Sequence, residues 1–325
     1  MKLERKYTII EKMLFFTESE VMKMQLSVPD NSFLDSFEHL TTIDLDQYNK
    51  NTLELFMLRV NANEFDYDLL VTNLMEPIIT YSVSRKIRED YSNKPHTLTK
   101  KAISRFVEST RNTGELGELL LYAFLECHLG APKILSKLEL KTSTSLYVNG
   151  ADGVHYLKLP NGNYQLIFGE SKTIENLSTA ILKAFTSIYE FKNEVNAKGQ
   201  KKSGINYEKT LISDNLAKES FSDEDIAFIT SLIYPSRTSS FRVDDAFGIF
   251  IGYQINIDSI DKKMPNDKFA DEVKHQIITE VQQSISAIIQ QISDKGLDGH
   301  SFYIYILPFT KLDESRKNIL EGLTT

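Results

Sequence analysis

At 325 residues, with 41% hydrophobic and 25% charged residues, the chain has the make-up of a folded globular protein and lies outside the disordered class. Its formal net charge of -8 argues against broad, self-sufficient binding of nucleic acid, and a single cysteine, Cys127, excludes an internal disulfide framework. No apolar run reaches the roughly 18 residues of a membrane span, and the opening MKLERK carries no secretory core, so a cytoplasmic protein without a membrane anchor is expected.

In chain order, residues 1–95 mix short strand-like pieces, such as 53–60, with a helical piece near 67–80, and close at YSNKPH. This is an N-terminal α/β region. The stretch TLTKKAISRFVEST then predicts a helix with Ile103, Phe106 and Val107 on one side. A second helix follows in RNTGELGELLLYAFLECHLG. Asn112 is a candidate cap with Glu115 three residues on, and Gly130 suits the stop. The middle of this helix, residues 119–125, is apolar nearly all round, which predicts burial, and Cys127 reads there as an inert buried thiol.

Three strands are expected next, over 134–141, 153–159 and 164–172, the last two joined by PNGN, whose Asn161-Gly162 is a hairpin signal. Residues 174–195 carry Leu177, Ile181, Ala184, Phe185, Ile188 and Phe191 at helical spacing. The polar, basic loop AKGQKKSG leads into an irregular helical stretch over 211–234. The run AFGIFIGYQI, 246–255, predicts a central strand that Gly248 and Gly252 weaken. A long helix over 266–295 bears a stripe of Phe269, Val273, Ile277, Val281, Ile285, Ile288 and Ile292, read as core packing, and SFYIYILPF predicts one more buried strand. From about residue 97 the order is α-α-β-β-β-α-α-β-α-β, a mixed α/β domain with a sheet core.

The chemistry gathers at the end of one strand. Glu170 and Lys172, two residues apart, share a strand face, and a carboxylate and an ammonium closing a core strand are costly unless they pair, reach water or hold a ligand. An antiparallel PNGN hairpin brings Asp152, at the start of the preceding strand, beside Glu170. Two carboxylates and the Ser171 carbonyl make an oxygen-rich site suited to Mg2+ or Mn2+, with Lys172 placed to act on a water or a phosphate. Glu118 is a third acid, on the buried helix after Gly114 and Gly117, whose small size lets the helix approach the sheet. Glu115 competes for that role but is also the natural capping-box residue. The bland alternative for Glu170 and Lys172 is an ordinary surface pair.

Taken in order, GELGE, GADGVH and GESK on helix, strand start and strand end resemble the PD-(D/E)xK nuclease superfamily and, more specifically, the HamA family, nuclease subunits of the Hachiman anti-phage defence system. The resemblance covers residues 97–310. It implies a restriction-endonuclease-like core, a mixed central β-sheet flanked by helices, over 96–325. It also implies a Mg2+-dependent deoxyribonuclease with Asp152 and Glu170 as metal ligands, Lys172 near the attacking water and Glu118 supporting the site. A helicase partner, HamB, is implied as restraint. Ala151 stands where the superfamily motif has proline.

The six histidines, at 39, 96, 128, 155, 275 and 300, show no zinc spacing, and no structural zinc is expected. His155 reads as structural, with a substrate contact as the alternative, and Lys183 as solvated, with a phosphate contact as the alternative. No GxxxxGK[ST] occurs, so ATP hydrolysis belongs to another subunit. Residues 131–209 hold eleven lysines and no arginine against seven acids. That basic stretch supports a rival reading, a catalytically silent subunit that uses Lys198, Lys201 and Lys202 to hold nucleic acid or the helicase.

Overall fold

The computed structural model describes residues 25–109, 114–136, 150–196, 198–201, 204–216 and 222–324. Among them, β1 (Phe37–Asp44) and β2 (Asn51–Leu58) are followed by a two-stranded ribbon, β3 (Val60–Asn61) and β4 (Glu64–Phe65), and by four helices. These are α1 (Tyr67–Asn73), α2 (Met75–Ser82), α3 (Arg85–Asp90) and α4 (Pro95–Ser109). Then come α5 (Glu115–Cys127), β5 (Lys133–Ser136), β6 (Gly153–Lys158), β7 (Tyr164–Thr173) and α6 (Leu177–Asn193). The chain closes with α7 (Ile205–Leu216), α8 (Asp223–Ile233), β8 (Val243–Gln254), α9 (Asn266–Asp294), β9 (Ser301–Phe309) and α10 (Leu312–Thr324).

Seven strands form one mixed sheet in the order β1-β2-β9-β8-β7-β6-β5. The inner pairs β2/β9, β9/β8 and β8/β7 are parallel, and the outer pairs are antiparallel. Helices cover both faces, so the central strands are buried on both sides and read as continuous apolar runs instead of alternating ones. Strand β8 is the clearest case, with residues 246–253 all buried. Two strands from the first 95 residues, β1 and β2, complete this same sheet through β9, so the sheet itself crosses the sequence boundary near residue 95.

Helix α5 packs on one face of β7 and β8, and α6 on the other. The alternation of side chains sorts the residues between them. Phe168 meets Phe191 of α6 at 5.5 Å between ring centroids, whereas a Cβ at Gly248 would lie 3.1 Å from both Leu125 methyl groups of α5. Gly248 thus serves close helix-on-sheet packing and does not merely weaken β8. Phe124 of α5 is an aromatic hub, its centroid 4.9 to 6.2 Å from those of Phe33, Phe37, Phe56, Phe250 and Tyr305.

The PNGN turn closes as expected: Leu159 N–H donates to the Asn163 carbonyl at 2.8 Å, and Gly162 takes φ +83°, which its missing Cβ permits. Three expectations change. Helix α5 begins at Glu115 with Gly114 at the N-cap and no side-chain cap, so Glu115 is the first helical residue and not the third of a capping box. Asn112 lies outside the described residues. The strand expected over 134–141 is described only as β5, since 137–149 also lie outside. The irregular stretch 211–234 resolves into α7 and α8, the latter opened by a capping box of Ser222 and Asp225. The stripe of α9 is core: Phe269, Val273, Ile277, Val281, Ile288 and Ile292 are buried and Ile285 is half-buried. Cys127 is buried, and burial pushes its thiol up to about 12, as an inert side chain requires. No helix among the described residues is long and apolar enough to cross a membrane.

Candidate active site

Strand β7 is buried through its first six residues and half-buried over its last four. The strand leaves the core at Glu170, which is where its sequence turns polar. Glu170 and Lys172 continue the face of Phe168, and the Lys172 ammonium bonds to Glu170 Oε1 while lying 3.3 Å from the Ser171 carbonyl oxygen. Their side chains are 15% and 26% exposed, so the pair sits at the rim of the core and differs from a freely solvated surface pair.

Register brings Asp152 to the same place. Val154 pairs with Phe168, and two residues earlier the Asp152 N–H donates to the Gly169 carbonyl at 2.9 Å. The buried Asp152 carboxylate turns across the strand end: its Oδ2 accepts from Ser171 N–H at 2.7 Å and from Ser171 Oγ at 3.0 Å. Ser171 stands between Glu170 and Lys172 in sequence and fixes the third member of the group in space.

Glu118 arrives from the α5 side. A Cβ on Gly117 would lie 2.7 Å from Thr173 Oγ1 and 3.3 Å from Ser171 Oγ, so only glycine lets the first turn of α5 rest against the polar end of β7. Gly117→Ala is expected to cost about 1–3 kcal/mol through overpacking and to push Glu118 outward. Urea unfolding of the purified variant checks this, and an unchanged midpoint would show that the contact yields freely.

Glu118 is buried and its Oε2 accepts the Tyr81 O–H at 3.0 Å. Burial holds the Tyr81 phenol well above its usual pKa, and the charges of Glu118, Asp152 and Glu115 raise it further, so Tyr81 remains a donor. Glu118 and Asp152 line one cavity with Tyr81, Tyr122, Ser136 and His155; its volume of about 10 Å³ suits one water molecule. The structure therefore joins Glu118 to Asp152, and Glu170 to Lys172, on either side of Ser171. Among the described residues, Glu118, Asp152 and Glu170 do not bring one oxygen each within 4.8 Å of the other two. Glu115 is buried as well.

Tyr81 is the member that local sequence reasoning missed. It lies on α2, within the first 95 residues, and nothing in its own stretch, MEPIITYS, signals a site. His155 is fully buried: its ring shares a 2.8 Å hydrogen bond with the Ala131 carbonyl, and burial lowers its pKa to about 4. Between pH 6.5 and pH 4 the unfolded chain binds a proton that the folded chain refuses. This contribution to stability is thus present above pH 6.5 and lost as pH falls, by about 3 kcal/mol at the lower limit. Urea unfolding at pH 7 and pH 5 should show a smaller acid loss in His155→Gln than in the parent protein; equal losses would refute it. Lys183, Lys198 and Lys201 are exposed, and Lys202 lies outside the described residues.

Carboxylates and a backbone carbonyl are hard donors, and Mg2+ commonly takes one or two carboxylates and leaves the rest of its shell to water and substrate phosphate. Asp152 and Glu170 are carboxylates of that chemical class, and Ser171 is the hydrogen-bonding neighbour that orients Asp152. The HamA family model matches residues 31–323. No curated protein matches the chain.

Proposed function

The chain belongs to the HamA family and with it to Hachiman antiviral defence, and from that premise we propose that it is a metal-dependent deoxyribonuclease whose cutting is restrained by a helicase partner. The observation that supports the reading is the Asp152 carboxylate held on Ser171, the residue between the paired Glu170 and Lys172 at the exit of β7, with Glu118 sharing a cavity with Asp152.

Asp152 and Glu170 would hold Mg2+ or Mn2+, which supplies Lewis-acid charge neutralisation at a phosphate. The protein's own residues divide the remaining work. Ser171 fixes Asp152 through two hydrogen bonds, so the carboxylate does not have to be ordered when substrate arrives. Tyr81 holds Glu118 in its buried position next to Asp152. Lys172, paired with Glu170, puts an ammonium at the half-buried end of β7, where it can orient the attacking water and offset negative charge that builds on the phosphoryl oxygens. The half-exposed end of β7 is the side from which a nucleic acid backbone reaches these groups.

Supercoiled plasmid with Mg2+, in the presence and absence of the helicase partner, tests the reading: the free chain or the DNA-engaged complex should nick or linearise it, and EDTA should stop the cutting. A chain that binds DNA or helicase but cleaves nothing under either condition would be a silent subunit.

A further inference from the structure

The far end of α5 carries a second constellation. His39 of β1, Glu54 of β2 and His128, the C-cap of α5, each offer a ligand atom within 4.8 Å of the others. His128 lies ten residues beyond Glu118 on the same helix axis, about 15 Å away, so this cluster is distinct from the candidate active site.

Several features give it the organisation of a ligand site. A bulge between His39 and Thr41 shifts the β1/β2 register, so that both His39 and Thr42 turn to the same carboxylate. Glu54 Oε2 lies 2.7 Å from His39 Nε2 and accepts the Thr42 hydroxyl at 2.7 Å. His128 makes its hydrogen bond through Nδ1, 3.2 Å from Tyr305 Oη. In the tautomer that donates from Nδ1 to Tyr305, the Nε2 lone pair is available, the arrangement in which a second hydrogen bond orients a metal-bound imidazole. Phe56 flanks both imidazoles, 4.8 and 5.3 Å away between centroids, and restricts their tilt.

We propose that His39, Glu54 and His128 form a second cation site that takes a borderline divalent ion of the Zn2+ class, with one coordination position left to water. Imidazole selects zinc, copper, nickel or iron over magnesium, and two histidines with one carboxylate is a known zinc donor set. Ligand bonds of roughly 2.0–2.2 Å require the three atoms to draw together, a movement that the 41%-exposed His39 side chain can supply. The ion would tie the β1/β2 pair to the end of α5.

Calorimetric titration of the full chain with Zn2+ tests this. The parent protein and Asp152→Asn should share a Zn2+ site of the same affinity, and His39→Ala and His128→Gln should bind Zn2+ there at least 10-fold more weakly. Co2+ should give four-coordinate visible absorption in the parent and in Asp152→Asn but not in His39→Ala. Equal affinity in His39→Ala and the parent, or loss confined to Asp152→Asn, would overturn the proposal. His39 is exposed, so its variant decides the question even if His128→Gln folds poorly.

Discussion

Asp152→Asn is expected to lower Mg2+-dependent DNA cleavage by about 10³-fold, equivalent to about 4 kcal/mol of transition-state stabilisation, with little change in folding. The substitution is nearly isosteric, and an amide oxygen can still accept the two Ser171 hydrogen bonds that Oδ2 accepts now. What disappears is the charge that would bind the ion. Lys172→Ala should fall by a similar factor, and the double variant should be little worse than either single one, because residues that act as a unit are not additive. A plasmid cleavage time course with matched thermal melts separates the two effects. Cleavage by Asp152→Asn at the parent rate would remove Asp152 from the chemistry.

The largest expected loss of stability lies at Phe124. Five aromatic rings surround it, from the 3-10 turn at Ser32–Ser36, from β1 and β2, and from β8 and β9. Phe124→Ala should cost about 3–5 kcal/mol, since the cavity is walled by strands that cannot collapse into it. The same helix holds Glu118 at its start and His128 at its end, so a loosened α5 should reduce cleavage in addition to stability. Urea unfolding followed by circular dichroism measures the first effect. A loss below about 1 kcal/mol would mean that α5 is not the element that ties the two halves of the sheet together.

Where the sequence was legible, one physical signal was strong enough by itself. Periodicity marked α6 and α9 because their buried stripes recur without a break, and Asn161-Gly162 fixed the register that sets Asp152 by the end of β7. The start of α5 was misread because a capping box depends on where the helix begins, and at Gly114 the chain dispenses with a side-chain cap. Tyr81 and the His39–Glu54–His128 cluster were invisible for another reason. Their partners are distant in the chain, and the spacing rules for zinc motifs describe only ligands that are neighbours in sequence. Gly248 looks like a weakness of β8 in the sequence because its role depends on Leu125 of α5, a contact that no local pattern encodes.

The most direct measurement of the central claim is a crystal of the protein soaked in Mn2+ and examined for anomalous scattering at the exit of β7. The account predicts a peak between the Asp152 and Glu170 carboxylates, with Lys172 drawn off Glu170, and no peak there in Asp152→Asn. Mn2+ absent from that position, while cleavage of DNA in the same buffer persists, would contradict it.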